Sequence, residues 1–558
     1  MVDINSLEVY TSLTVQLFHD IVQCYPDTRE SRLDVVTLQH RVSKEGLSFI
    51  TKTLPKLGKA LDKALHSDRP LQVSGFKLIP GTSIPRFLGW LIEKVFSRDG
   101  YVRSDPDITA LKHLRQFLYF AYKLKLPYDT KTESSVIASF VSTQKELEDL
   151  SFDSDALPII EHARAFISRL FYGFDVRDII PRHGPGAVAT GEEAGEKSNF
   201  SRIFLHTERV YPFTEYFVLG LNQVADQLDW IQSLETMEYG TASVVLVPKD
   251  SRGPRLISKE PLELQWIQQG IQKSLYSWIE KHPLTRGFVN FTDQTINRRL
   301  ALSSSRSCKY ATLDMKDASD RVSLKLVERL FQGTQLLEAL IASRSSFTRL
   351  PDGDVVSLST FAPMGSAVCF PIEAICFYAL AVSLLHLHGR SDIRNKPNVF
   401  VYGDDIIVRL EDFELLLQYF PKVGLMFNSD KCCTSGFFRE SCGCDAYKGI
   451  DITPIRLRNV WNHHGSRDPS ELVSYVELSN SMWEAGYWTT AELIKDMVED
   501  RYGRLPYTRE PYTYVDLAGR LRVDDSPLIG WYRSHVHQSV SSKYMKTRVN
   551  RSLQRLEY

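Results

Sequence analysis

Tyr402-Gly403-Asp404-Asp405 carries the clearest chemical potential in the chain: two adjacent carboxylates and a glycine set between the apolar, β-rich runs Asn398–Val401 and Ile406–Val408. This composition predicts a hairpin with its charges at the turn. Neighbouring side chains in a regular strand point to opposite faces, so the two aspartates converge only where the backbone turns, and Gly403 permits that turn. Converging carboxylates suit hard cations. Two such ions about 3.5–4 Å apart can activate an attacking hydroxyl and stabilise a leaving pyrophosphate during in-line phosphoryl displacement. A plain Asp-rich surface turn is the competing reading, because Gly-Asp is ordinary turn chemistry.

Further groups with chemical potential lie on both sides. Lys309–Met315 alternates as a strand that ends at Asp314, and Lys316–Asp320 turns it into a helix with Val322, Leu326, Val327, Leu330 and Phe331 on its buried face. Asp320 or Ser319 is placed to cap that helix. Pro248–Lys259 holds four cations and one anion in twelve residues, after a β-rich run from Thr241 to Val247. Such runs are often solvated faces. Here Arg255 and Lys259 stand an even number of residues apart, so a strand would aim both at triphosphate or template phosphates, with Lys249 and Arg252 beside them. Pro181–Ala187 reads as a rigid connection from which Arg182 could reach phosphate. In the small-residue loop Phe361–Ala367, Gly365 allows close approach, and Ser366 either bonds a 2′-hydroxyl or caps the next helix.

These residues need a scaffold, and 558 residues with 43% hydrophobic and 24% charged content suffice for several subdomains around a large core. Lys plus Arg total 67 against 68 for Asp plus Glu, so any polyanion partner must be met by locally grouped cations. The N-terminus shows no targeting pattern, and eight cysteines in a chain of this length fit a reducing cytosol. Cys432, Cys433, Cys442 and Cys444 lack the usual knuckle spacing of a zinc site. Ala367–Leu385 is about as long as a membrane span, but Pro371 and Glu373 interrupt it and a buried core helix is expected. Residues 1–180 read as mainly helical: Leu47 to Leu65 repeat at three- and four-residue steps, with Pro55 expected to break or kink the run, and Leu111 to Tyr122 form a second stripe. Phe413–Phe420 reads as a helix. His463–Arg467 is the best linker candidate, Asp468–Glu471 a capped helix start and Thr489–Glu492 a second capping box. From Arg533 to Tyr558 six Lys or Arg oppose one Glu, a candidate RNA or partner face.

Taken in order, the Gly-Pro-Gly loop at 184–186, the basic run at 248–259, Gly287–Asn297, Asp314, Met364-Gly365, Tyr402–Asp405, Lys431 and Ser435–Gly443 resemble the motifs of the replicase catalytic (beta) subunit of single-stranded RNA bacteriophages, a levivirus-like RNA-dependent RNA polymerase. The resemblance implies an α+β right-hand polymerase with an antiparallel palm sheet, fingers and a helical thumb. It divides the chain into an N-terminal helical region (1–180) packing with fingers and thumb, fingers (181–305), palm (306–455), and thumb with a basic end (456–558). Asp314, Asp404 and Asp405 would hold two Mg²⁺ ions, with Mn²⁺ a possible substitute. Lys431 would protonate the leaving pyrophosphate. Lys249, Arg252, Arg255, Ser319, Asp320, Gly365 and Ser366 would bind the NTP, and Arg182, Lys259 and Arg439 the RNA. Primer-independent synthesis on a phage genome is implied, with template and product RNA, host elongation factors Tu and Ts and a host ribosomal protein as partners, in the bacterial cytoplasm and without a membrane. A reverse transcriptase is the nearest enzymatic rival, although Lys316–Asp320 lacks an aromatic gate against the 2′-hydroxyl. A non-catalytic RNA-binding relative of a polymerase is the other, against which the intact aspartates count.

Overall fold

The leucine stripe near the N-terminus becomes the helix Leu54–His66, preceded by a π-helical turn at Phe49–Thr53. Pro55 interrupts the run without ending it: it sits in the first α-helical turn, where π-helical bonding, with Leu54 N–H donating to Phe49 O, gives way to α-helical. The computed structural model describes residues 4–67, 69–218, 227–390, 398–462 and 468–505, together with 507–508, 513–515, 521–523, 530–533, 548–550 and 555–557. Helices Ile4–Val22, Arg29–Glu45, Leu54–His66 and Ile108–Tyr119 share one core with residues 433–461, 475–498 and Trp531, so the N-terminal helices pack on a region more than three hundred residues later.

The middle of the chain is α+β. Strands β1 (Arg202–Phe204) and β2 (Glu235–Met237) form a small parallel pair. Strands β3 (Thr241–Asp250) and β4 (Gly253–Lys259) make an antiparallel hairpin, extended by β6 (Phe347–Arg349), parallel to β3, and then β7 (Val355–Ser357). The helix Thr130–Glu148 covers this sheet by packing Phe140 against Val244 and Leu256. Between them in sequence, β5 (Tyr310–Asp314) joins β8 (Val399–Tyr402) and β9 (Asp405–Arg409) in a three-stranded antiparallel sheet of order β5-β9-β8.

Cys369–Leu387 has the length and apolarity of a membrane span. Its residues are buried on nearly every side, against the helix Ala156–Leu170 and β8, as suits a helix without a polar face. After the short helix Phe413–Tyr419 come β10 (Phe438–Ser441), β11 (Cys444–Tyr447) and β12 (Ile450–Asp451), a second antiparallel sheet.

Two C-terminal helices follow. Pro469–Glu484 starts as its sequence suggests, with the Asp468 side chain accepting from Ser470 N–H. The capping box at Thr489–Glu492 is not made. Trp488–Tyr502 begins one residue earlier, and Asp20 from the first helix accepts from the N–H groups of Thr489 (3.2 Å) and Thr490 (2.8 Å) instead. Beyond Tyr502 the described residues are short strands rather than helix. The linker candidate at 463–467 and most of the basic 533–558 segment lie outside the described residues. Arg533 itself is buried, donating to Glu492, Asn480 and Ser479.

Candidate active site

The β5–β9 register sets Asp314 directly opposite Asp405, and Asp404 occupies the turn joining β8 to β9. Gly403 takes φ 59°, and a Cβ there would run into the Phe370 ring in the first turn of the core helix. Both the turn and the packing therefore require glycine. Along the free edge of β5, residues 427–433 pair through bridges Met315↔Phe427 and Thr312↔Cys433. That pairing delivers Lys431 Nζ to 2.9 Å from Asp314 Oδ1 and Asn428 Nδ2 to 3.1 Å from Oδ2. Asp405 Oδ2 accepts from the Cys442 N–H at 2.9 Å.

Negative charge is concentrated here. Burial, then the neighbouring Asp404, raises the Asp405 carboxyl to about 7. Asp404 reaches solvent at the turn yet is crowded by protein, and that crowding followed by the charge of Asp314 raises it too. Glu373, buried in the core helix, is held far above the carboxylate range by burial and then by Asp404 and Asp320. Glu440 on β10 is raised by burial and by Asp445. Burial opposes the Lys431 ammonium, but Glu440 and Asp314 outweigh it and keep the proton on Nζ. Among the described residues no three His, Cys, Asp or Glu side chains form a ready-made metal cage. Crowded carboxylates with all-oxygen donors nevertheless fit Mg²⁺, which is ordinarily held by one or two carboxylates plus substrate phosphates.

The β3–β4 hairpin supplies the opposite charge. Arg255 is exposed and Lys259 half-buried, on the same face of β4. Arg252 is clamped to Asp250 by two bonds of 3.0 and 2.7 Å. Burial, then Arg255, lowers the Lys249 ammonium. Arg255 is among the charges acting on Asp404, and Lys249 among those acting on Asp320, so the basic strands lie within electrostatic reach of the acidic turn. Gly365, at φ 126°, lets the loop dock on β4: Ser258 N–H donates to Met364 O at 2.8 Å, and a Cβ on Gly365 would strike the Ser258 carbonyl.

A family model described as "RNA replicase, beta-chain" matches residues 128–466. The chain belongs to that family. Its relatives include the "RNA-directed RNA polymerase subunit beta" of Qbeta virus (strain MX1), 33% identical over 50% of this chain and 46% of the relative. The protein of that name from Escherichia virus Qbeta is 36% identical over 45% of this chain and 39% of its own length. The "RNA-directed RNA polymerase beta chain" of Escherichia phage MS2 is 30% identical over 50% of this chain and 52% of the relative. The matched region thus spans about half the length of these curated relatives.

Within this replicase-family chain several sequence assignments change. Arg439 does not face RNA: it is fully buried, donating to the carbonyls of Tyr310 (2.7 Å), Ser435 (3.1 Å), Gly436 (3.1 Å) and Phe438 (2.7 Å). Neither Ser319 nor Asp320 caps the helix Leu324–Phe331. Ser323 does, accepting from Leu326 N–H at 3.1 Å. Ser366 is not a cap for the core helix either, since its hydroxyl donates to Gln268 Oε1 at 3.0 Å. Asp320 is half-buried, raised to about 7 by burial and then Asp317, and its Oδ1 has no hydrogen-bond partner. Arg182 is exposed in a loop whose Gly184 and Gly186 carbonyls accept from Lys197. Asn428, Glu440 and Glu373 join the site unannounced by motif spacing. Of these Glu373 had a visible signal, as the one acid inside an apolar helix.

Proposed function

We propose that this chain is a template-directed RNA polymerase that replicates a positive-strand RNA phage genome by joining NTPs. The observation that carries the reading is the Asp314–Asp405 register with Asp404 at the turn, within electrostatic reach of the basic β3–β4 hairpin, in a chain of the RNA replicase beta-chain family. The relatives' printed names supply the reaction class.

In this reading the three-stranded β5-β9-β8 sheet is the palm, the β3–β4 hairpin belongs to the fingers, and the helices after 468 belong to the thumb. Asp314, Asp404 and Asp405 would hold two Mg²⁺ ions, which when bound supply Lewis-acid stabilisation of the α-phosphate and activation of the nascent 3′-hydroxyl. Lys249, Arg252 and Arg255 grip the triphosphate through charge-assisted hydrogen bonds. The 3′-oxygen attacks the α-phosphorus, pyrophosphate leaves, and Lys431 Nζ donates a proton to it. Asp320, with one carboxylate oxygen uncommitted, is the leading partner for the ribose 2′-hydroxyl, with Ser319 and Ser366 beside it. Arg182 and Lys259 are placed to track RNA phosphates. Elongation factors Tu and Ts, a host ribosomal protein and the bacterial cytoplasm complete the proposal.

The test is incorporation by the purified chain with single-stranded RNA and NTPs, compared with dNTPs and with added bacterial factors. Template-dependent RNA synthesis is expected. Preference for dNTPs, or no synthesis with the factors present, would overturn the reading.

A further inference from the structure

Lys59 belongs to the helix Leu54–His66, far in sequence from every residue of the basic hairpin. Leu54, Leu57, Leu61 and Leu65 turn to the core and leave Lys59 exposed. Its ammonium stands over the Tyr122 ring, 4.9 Å from the centroid, and the Arg252 guanidinium lies over the same ring at 5.7 Å. Tyr122 Oη donates to Asp250 Oδ2 at 3.3 Å, the carboxylate that clamps Arg252. The tip of the β3–β4 hairpin is tied to this N-terminal segment by further bonds: Ser251 N–H to Tyr122 O (3.1 Å), Tyr128 Oη to Asp250 O (2.8 Å) and Lys249 N–H to Tyr128 Oη (3.1 Å).

The two carboxylates that act on the Lys59 ammonium are already engaged. Asp250 is held by Arg252, and Asp430 by Lys63 at 2.8 Å. Lys59 has no ion pair of its own among the described residues, while Arg252 and Lys431 act on it as like charges. Although Lys59 reaches solvent, the protein crowding its ammonium, and then Arg252, lowers its pKa, the same pattern as at Lys249. Five cations from three parts of the chain therefore gather here: Arg252 and Lys431 are paired with Asp250 and Asp314, while Lys59, Lys249 and Arg255 make no ion pair among the described residues. A compact polyanion relieves such crowding better than a run of singly charged phosphodiesters.

We propose that Lys59 is a triphosphate-binding residue, contributed to the nucleotide site by the N-terminal helices and positioned by Tyr122. The inference rests on the polymerase reading and extends its nucleotide site by one residue.

The experiment compares wild type, Lys59→Gln and Lys59→Arg at saturating primed template, measuring KM and kcat for NTP, the Kd of a non-hydrolysable NTP, the Ki of inorganic pyrophosphate, the Kd for template RNA, and Tm. Losing one charge-assisted bond should raise KM, the nucleotide Kd and the pyrophosphate Ki by roughly tenfold in Lys59→Gln. Tm, RNA affinity and kcat should stay near wild type, and Lys59→Arg should restore the nucleotide constants. Unchanged nucleotide constants in Lys59→Gln overturn the proposal. So does weakened RNA binding with KM unchanged, which would assign the cation to the RNA track. A wild type that makes no RNA sinks the polymerase reading instead, and the role of Lys59 is then decided by the nucleotide Kd alone.

Discussion

Glu440 and Asp445 face each other across β10–β11, yet they serve opposite kinds of charge cluster. Asp445 belongs to a closed network. Arg115 donates from Nε and Nη2 to Asp62 (2.8 and 3.0 Å), from Nη2 to Asp445 (2.9 Å) and from Nη1 to the Ile452 carbonyl (2.8 Å), while Arg456 also reaches Asp445 and Tyr119 bonds Asp62. Two guanidinium groups meet two carboxylates, and this network staples the N-terminal helices to the sheet. Glu440, besides the charge of Asp445, lies in the field of Lys431, Asp314 and Asp405, where carboxylates outnumber the one ammonium. Charge that closes on itself marks structure. Charge left in excess marks a place for a ligand.

Removing one member from each cluster should break them in opposite ways. Asp404→Asn is expected to abolish nucleotide incorporation in Mg²⁺ while Tm holds or rises, because it relieves repulsion and opens no cavity. Near-normal incorporation would take Asp404 out of the metal site. Arg115→Ala leaves the half-buried Asp62 without its cation and the buried Asp445 with Arg456 alone, and should cost about 3–5 kcal/mol of stability in a denaturant titration. A loss near zero would show that the network does not hold the N-terminal helices to the sheet.

Smaller effects sharpen the contrast. Asp320→Ala should reduce the preference for ATP over dATP several-fold, since a hydrogen bond to the 2′-hydroxyl contributes on the order of 1 kcal/mol. Ser319→Ala and Ser366→Ala should change it less, as the Ser366 hydroxyl already serves Gln268. Full discrimination in all three variants would refute this account of sugar choice. The smallest effect is a pH dependence. Asp405 is raised to about 7 in the fold, above its ordinary value, so its contribution to stability is present at low pH and lost as pH rises through about 7. Mg²⁺ must displace that proton, and should therefore raise Tm more at pH 8 than at pH 6. Asp405→Asn should flatten the difference, and an unaltered difference in that variant would place the titration elsewhere.

The hairpin around Asp404 was legible in the sequence because alternation, glycine and carboxylates all lie within eleven residues. The shared face of Arg255 and Lys259 was legible for the same local reason. Arg439 misled because the Ser435–Gly443 stretch that carries it resembles a replicase motif expected near the nascent RNA end. Its partner Tyr310 is 129 residues away and only packing brings them together. Asp20 stands about 470 residues from the helix start it caps, so the local Thr-x-x-Glu pattern pointed to the wrong partner. The roles of Lys59 and Asp62 were invisible within a stripe whose periodicity announces only a core.

The core that the N-terminal helices share with this later region also sets a clock. Residues 10–124 complete their burial only against residues 433–531, with more than three hundred residues in between. At ribosomal speeds of about 5–20 residues per second, the leucine-rich faces of the first helices wait roughly 15 to 60 s for their partners to be synthesised. Over that interval the nascent chain carries a half-built hydrophobic surface, and the Asp20 lock on Thr489 and Thr490 closes only after those residues have been synthesised.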